Sequence, residues 1–115
     1  LYGTPEAHDQ PHFAYNHNAK IVAGETCPTG SSAITGLTFY AGTSYPERYR
    51  GALFFADHAR QCAWVMLPGA NGLPDPTKIE TFAAGAATPV DLQAGPDGNL
   101  YYVDHDGGTV RRIRY

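Results

Sequence analysis

The feature that most constrains this chain is an internal repeat. The stretch GALFFADHARQCAWVM (51–66) aligns with GNLYYVDHDGGTVRRI (98–113) at a constant offset of 47 positions. In both copies an apolar run ends in an Asp-His pair, at positions 57–58 and 104–105. Upstream, GLTFYAG (36–42) matches PVDLQAG (89–95), and the first copy has six extra residues around TSYPERYR. A period near 45 residues, with several short strands per copy, is typical of a β-propeller blade.

This repeat predicts an all-β fold, a β-propeller fragment of about two four-stranded antiparallel blades. The expected strands are 35–41, 51–57, 62–67 and 78–84 in the first blade, and 89–94, 99–104 and 108–114 in the second. Residues 19–23 are predicted to be the fourth strand of a preceding blade. The expected organisation is therefore an N-terminal loop region with that strand (1–34), a blade (35–87) and a C-terminal blade lacking its own fourth strand (88–115).

The turn residues agree with this assignment. GPDG (95–98) places Pro and Gly where a tight turn favours them, and DHDGG offers positions for a positive φ. Pro46, Pro68, Pro74 and Pro76 are expected in connections, where a missing N–H costs no ladder bond. LFFAD and LYYVD are apolar on both faces, which favours a sheet enclosed between neighbouring sheets.

Two blades do not close a propeller, which typically has four to eight. Cut out alone, a repeat leaves apolar faces bare. With a start at Leu1 and no apolar leader, we expect a piece of a longer or processed chain whose partners are the remaining blades, or a chain that associates with itself. The strand at 20–23 is predicted to cover the open edge at 109–114, in the same chain or a neighbour.

The two cysteines favour one disulfide, Cys27–Cys62, and therefore a secreted protein; two buried thiols are the alternative. The net charge of −3 argues against a nucleic-acid surface. Arg111, Arg112 and Arg114 are interpreted as an exposed outer strand, or else as an anionic-ligand site. No apolar run approaches the roughly 20 residues of a membrane helix.

At this level of detail the chain resembles a known family. SSAITGLTFYAGTSYPERYRGALFFADHARQCAWVM and PVDLQAGPDGNLYYVDHDGGTVRRIRY are similar to the C-terminal blades of the glucose/sorbosone dehydrogenase family. Its members are soluble six-bladed propellers that oxidise aldoses with pyrroloquinoline quinone (PQQ). The resemblance implies PQQ and calcium as cofactors of the parent protein and a sugar as its substrate.

The resemblance also implies where cofactor contacts would lie, at Ser32, Thr35, Thr88 and Asp91. The family's catalytic His belongs to an earlier blade, so no catalytic residue is assigned. The last blade usually carries an Arg-x-Arg-Asp stretch, whereas this chain has TPVD, with Thr88 and Val90 in place of the arginines. Because arginine's forked donors suit a tricarboxylate cofactor, whether the parent is an enzyme stays open. The expected function is the C-terminal part of a dehydrogenase-like propeller, inactive alone; the alternative is a non-catalytic module that binds carbohydrate or a protein partner.

Three further groups are considered. His8, Asp9, His12 and His17 could bind a metal, but a surface loop is the preferred interpretation, and no metal ligand is assigned. The repeated Asp-His could be acid/base pairs, but turn stabilisation is preferred because the pair recurs with the repeat. A sugar-stacking platform could use the aromatic residues, but core packing is preferred for them; they are Tyr40, Tyr49, Trp64, Tyr101 and Tyr102.

Overall fold

A computed structural model describes residues 11–115 and shows an all-β protein with two antiparallel sheets. The first sheet has four strands in sequential order, and the second has three. The strands of the first sheet are β1 (Ile34–Phe39), β2 (Leu53–Asp57), β3 (Cys62–Pro68) and β4 (Pro74–Ala84). Those of the second sheet are β5 (Pro89–Ala94), β6 (Leu100–Asp104) and β7 (Thr109–Ile113). A short 3₁₀ turn, Glu47–Tyr49, lies between β1 and β2.

All seven strands predicted from the repeat are present, with bounds shifted by at most a few residues. β2 and β6 are the equivalent strands of the two copies, and each pairs with the following strand through a tight hairpin. The β2–β3 hairpin turns through Gln61, which has a φ of 56°. The equivalent turn in the second copy uses Gly108, with a φ of 63°. The fold class expected from the sequence is therefore confirmed as two consecutive antiparallel sheets.

The two sheets pack face to face around a common core. Alternate residues of β2 and β3 meet alternate residues of β5 and β6, as the two-residue period of a strand requires. The first strands of the two sheets, β1 and β5, approach closely at Gly36, where an added Cβ would lie 2.8 Å from the backbone nitrogen of Leu92. Thr35 reinforces the contact, because its hydroxyl donates a hydrogen bond to the carbonyl oxygen of Pro89 at 2.6 Å.

The extra residues of the first copy belong to a loop that connects the two sheets. We call it the inter-sheet loop (residues 40–52). The hydroxyl of Tyr40 donates to the carbonyl of Gly98 at 2.6 Å. The hydroxyl of Tyr45 accepts from the backbone N–H of Leu100 at 2.8 Å and donates to the carbonyl of Ile113. Both tyrosines are buried and their rings stack 4.8 Å apart. This insertion therefore holds the second sheet through side-chain bonds to its backbone.

The outer face of the first sheet is covered by an N-terminal cover (residues 13–32). Phe13 and Tyr15 pack on a cluster that contains Phe55 and Trp64. The disulfide predicted from the sequence is present and joins Cys27 of this segment to Cys62 at the start of β3. Chain order alone did not indicate that the segment lies on this face.

The predicted strand at 19–23 is wrong, because these residues form bends and a turn. Glu25 folds back and accepts a hydrogen bond from the backbone N–H of Ile21 at 2.9 Å, and Gly24 has a φ of 78°. The apolar side chains of Ile21 and Val22 pack on the outer-face cluster instead of aligning in a ladder. The segment consequently does not pair with β7 of its own chain, whose ladder partner in the described residues is β6.

Three of the four prolines that were expected in connections lie in strands instead. Pro74 and Pro76 belong to β4 and not to a connection. β4 is the outer edge strand of its sheet, with β3 as its neighbour, so a missing N–H can face away from the ladder. Pro68 is the last residue of β3 and pairs in register with Pro74.

Candidate functional site

The four residues to which the family resemblance assigned cofactor contacts lie along β1 and β5 or directly before them. Ser32 precedes β1 and Thr35 is within it, while Thr88 precedes β5 and Asp91 is within it. β1 and β5 are neighbours, so the fold brings the two pairs to one side of the molecule. Three of the four have polar atoms engaged in bonds that hold the protein together. Asp91 is exposed, and its carboxylate accepts from the backbone N–H of Leu92 at 2.9 Å.

Thr88 is part of a buried network at the end of β6. Its hydroxyl donates to Asp104 Oδ1 at 2.7 Å and accepts from the backbone N–H of Asp106 at 2.8 Å. The backbone N–H of Gly107 also donates to Asp104, and Arg111 Nε lies 3.1 Å from its other oxygen. Hydrogen bonds from Thr88 and Gly107 lower the pKa of Asp104 from its usual value to about 2. The Thr88 hydroxyl is thus committed to stabilising a turn.

Asp57 holds the equivalent position in the first copy and does the same work. Its carboxylate accepts from the backbone N–H of Arg60 at 3.0 Å, three residues on, as Asp104 accepts from Gly107. It also accepts from the backbone N–H of Ala33 at 3.0 Å. The expectation that the repeated aspartate stabilises a turn is confirmed in both sheets.

Arg60 is a residue whose importance sequence reasoning missed. The side chain is fully buried, and its guanidinium donates to the carbonyls of Asn16, Ala19 and His17 at 2.8, 2.7 and 3.1 Å. Its Nε donates to the hydroxyl of Ser32 at 2.8 Å. Ser32, predicted as a cofactor contact, therefore helps hold an arginine that organises the N-terminal cover.

The ring of Tyr15 lies against this same arginine, with Arg60 Cζ 4.8 Å from the ring centre. The Tyr15 hydroxyl donates to Asp57 at 2.5 Å. Burial, together with this bond to the carboxylate, raises the pKa of Tyr15 above its usual value. No sequence signal marks Arg60, because a lone arginine in a turn usually lies at the surface.

Glu25 fixes the other end of the cover. Its Oε2 accepts from the indole N–H of Trp64 at 2.6 Å and from the hydroxyl of Thr81 at 2.7 Å. Burial tends to raise the pKa of Glu25, but these hydrogen bonds outweigh it and the pKa is lowered. The carboxylate is therefore held charged against the sheet, where it satisfies a buried tryptophan.

Part of the outer face is left open beside the cover. We call it the β1 apolar face: Ile34, Leu37 and Phe39, whose side chains are 51%, 59% and 59% exposed. Their register partners on β2 are Asp57, Phe55 and Leu53, so the three share the outer face. Three adjacent exposed apolar side chains on an edge strand are unusual for a surface that faces water. The patch is therefore a surface on which another apolar element could pack.

The aromatic residues behave mainly as core. Tyr40, Tyr49 and Trp64 are buried, and Tyr102 is 8% exposed, as the packing interpretation expected. Tyr101 is the exception because it faces outward from the second sheet, where its hydroxyl donates to Asp97 at 2.6 Å. The pKa of Asp97 lies well below its usual value, chiefly because of the Tyr101 hydrogen bond. No row of stacked aromatic rings faces solvent among residues 11–115.

The arginines of β7 are mostly exposed and lie on the outer strand. Arg111 pairs with Asp104, and Arg112 Nη1 lies 3.5 Å from Asp97. The register places Arg112 opposite Tyr101, which in turn lies opposite Gln93 of β5. Two strand spacings, roughly 10 Å, therefore separate these cations from β5. The exposed outer strand that we expected is confirmed.

The histidines of the N-terminal stretch do not form a cluster in the described part. His8 and Asp9 lie outside the described residues. His12 contacts the carbonyl of Pro74 through Nε2 at 2.6 Å, whereas His17 lies beside Arg60 through its backbone oxygen. Across positions 11–115, no group of three or more His, Cys, Asp or Glu side chains is arranged to hold a metal ion.

Comparison with known proteins adds no assignment, since no family, curated protein or solved structure matches this chain. Among the described residues, no helix is long and apolar enough to cross a membrane. The disulfide is compatible with an extracellular protein.

Proposed function

We propose that this chain supplies two adjacent blades of a secreted β-propeller resembling the PQQ-dependent aldose dehydrogenases, and that it acts there as scaffold. The supporting observation is the exposed β1 apolar face beside an outer face that is otherwise covered and disulfide-linked. The two sheets stack in chain order with their first strands side by side, as consecutive blades do. A third sheet packed on Leu37 and Phe39 would remove both side chains from water.

The candidate residues on and before β1 and β5 do not suit PQQ as direct contacts. The hydroxyls of Thr35 and Thr88 donate to Pro89 and Asp104, so neither donor is available to a carboxylate. The Ser32 hydroxyl already accepts a hydrogen bond from Arg60, and the exposed carboxylate of Asp91, which is an oxygen ligand of the kind that Ca²⁺ takes, would repel a tricarboxylate. The arginine nearest to these residues is Arg60, which donates to Ser32 at 2.8 Å, but its guanidinium is buried and bound to backbone carbonyls. These residues therefore do not act as PQQ contacts, and we assign the chain a structural role in the propeller.

The second candidate is a non-catalytic propeller that binds carbohydrate or a protein partner. This candidate is favoured by the sequence TPVD, because Thr88 and Val90 stand where the related family carries arginines. Aldose-dependent dye reduction by the full gene product, with PQQ and Ca²⁺ added, separates the two candidates. Turnover supports the dehydrogenase type, whereas intact sugar binding without turnover, or with no PQQ binding, supports the non-catalytic module.

The scaffold role has its own test, independent of chemistry. Leu37→Cys and Leu73→Cys place a thiol at two sites of equal exposure, 59% each, one on the β1 apolar face and one on the β3–β4 hairpin. In the isolated chain both should react with a maleimide at similar rates. In the full gene product the Leu37→Cys thiol should be protected and the Leu73→Cys thiol should still react. Equal labelling of both thiols in that product would refute the packing of a further sheet on this face.

A further inference from the structure

Two histidines, one at the end of a strand in each sheet, lie next to each other where the two sheets meet. His58 follows β2 and His105 follows β6, at equivalent positions of the repeat. Their ring centres are 5.7 Å apart and the rings are nearly perpendicular, at 82°. Each backbone N–H donates to the segment before a first strand at the same distance, 2.9 Å, to Ala33 and to Thr88 respectively. Both rings are thus carried by fixed backbone.

The hydrogen bonds of these rings are incomplete. Nδ1 of His58 is buried and has no hydrogen-bond partner within residues 11–115. A buried ring nitrogen without a partner is unfavourable, and such groups in folded proteins ask for an explanation. Nδ1 of His105 instead lies 3.1 Å from Asp106 Oδ1. A carboxylate beside Nδ1 favours the tautomer with the proton on Nδ1, which leaves the lone pair of His105 Nε2 free to bind a metal ion.

This arrangement has the parts of a two-histidine metal site. Imidazole nitrogens bind Zn²⁺, Ni²⁺ and Cu²⁺, and a metal-bound histidine usually donates its other ring N–H to a carboxylate or carbonyl oxygen. Two imidazoles sharing one ion through bonds of about 2.1 Å place their ring centres roughly 5–6 Å apart. The separation of His58 and His105 lies in that range.

We propose that His58 and His105 bind one divalent transition-metal ion, each through one ring nitrogen, with Asp106 orienting His105 and water completing the coordination. The ion bridges the two sheets at the ends of β2 and β6. Since Asp57 and Asp104 are already occupied by turn hydrogen bonds, they are not ligands. The site is independent of any propeller function, because it uses only residues of this chain.

The test is calorimetric titration of NiCl₂ and of ZnCl₂ into the chain after removal of metal with EDTA, near neutral pH. We expect saturable binding of one ion per chain. His58→Phe and His105→Phe should each weaken it at least about tenfold, and Asp106→Asn by about tenfold. Phenylalanine keeps an aromatic ring at each position, so packing of the pair is retained. Circular dichroism of each variant checks that the sheets are intact.

A matched control removes the other described histidines. The double variant His12→Gln, His17→Gln should bind as the wild type does, because neither ring contacts the pair. Unchanged binding in His58→Phe and His105→Phe, or no saturable binding by the wild type, would overturn the proposal. Loss of binding in the His12, His17 double variant would place the ion on the N-terminal segment and overturn it equally.

Discussion

The buried arginine of the β2–β3 turn gives the sharpest test of how this fold is held together. Replacing Arg60 by Met keeps much of the side-chain volume and removes the guanidinium. Three backbone carbonyls of the N-terminal cover and the hydroxyl of Ser32 then lose their donors. Each such bond contributes about 1 kcal/mol net, so the loss of four gives about 4 kcal/mol. We expect Arg60→Met to lower the free energy of unfolding by about 3–5 kcal/mol.

The measurement is equilibrium unfolding in guanidinium chloride, followed by the fluorescence of Trp64. This is the only tryptophan of the chain, and it lies beneath the same cover. Arg60→Lys supplies a milder variant, since one ammonium cannot reach all the carbonyls that a fork reaches, and it should lose at least half as much. Arg50→Met is the matched control: its side chain is 52% exposed and lies 3.9 Å from Glu47. It should change stability by no more than about 0.5 kcal/mol.

An Arg60→Met variant within about 1 kcal/mol of the wild type, with unchanged Trp64 emission, would refute a stabilising role for the Arg60 hydrogen bonds. That outcome would mean that the cover is held by its apolar contacts and disulfide alone. A shift of the emission toward longer wavelength without loss of global stability would show instead that the cover opens while the sheets remain folded. The two results are distinguished by comparing fluorescence with far-ultraviolet circular dichroism in the same titration.

Three further outcomes follow from the structure. Replacing Cys27 and Cys62 together by Ser should lower the unfolding free energy by about 3–4 kcal/mol, as the 35-residue separation implies, and a reductant should not weaken that variant further. Asp104→Asn should destabilise the protein at neutral pH. Because the pKa of Asp104 in the folded protein is lowered to about 2, the wild type loses this stability as the pH falls from about 4 to 2, and the urea-unfolding curves of wild type and variant should converge in that range. A stability difference that does not depend on pH would contradict this role of Asp104. Gly98→Ala, with a φ of 79° and a Cβ 2.5 Å from Ser44 Oγ, should cost about 2–4 kcal/mol by thermal unfolding, against about 1–2 for Gly24→Ala, which has a φ of 78° and open space.

The strands could be predicted because the same strand pattern occurs twice in the sequence. Alignment of 51–66 with 98–113 gave the equivalence of β2 with β6 and of β3 with β7, and the structure confirms both. The cysteine pair could be predicted from an even count in a turn-rich chain. These features depend on residues close in sequence or on parity, so no knowledge of the packing was needed.

The segment before β1 could not be predicted, because long-range contacts decide its conformation. Ile21 and Val22 suggested a strand, but a side-chain bond from Glu25 to the backbone and the outer-face cluster favour a turn. Arg60 escaped notice for the same reason, since its partners lie more than 25 residues away in sequence. The inter-sheet loop was recognised only as an insertion, and its hydrogen bonds to the second sheet became visible in the fold.

The candidate site shows the limit of residue-by-residue transfer from a resemblance. Ser32, Thr35 and Thr88 were assigned as cofactor contacts from the resemblance alone, and in the fold their side chains bond to Arg60, Pro89 and Asp104. Chain position indicates where a side chain starts, whereas its hydrogen-bond partner decides what chemistry remains. His58 and His105 show the opposite case: the sequence indicated only that they occupy equivalent positions of the repeat, and the fold places their rings side by side.

The bond between Cys27 and Cys62 also determines how this molecule would respond to a stretching force. It connects the N-terminal cover directly to β3, at a sequence separation of 35 residues. Tension applied at the two ends of the chain passes through the sulfur atoms and bypasses β1, the inter-sheet loop and β2. That segment would stay short while the sheets pull apart, withholding about 120 Å of contour length until the disulfide is reduced. β1, the inter-sheet loop and β2 are therefore shielded from mechanical load for as long as the disulfide is intact.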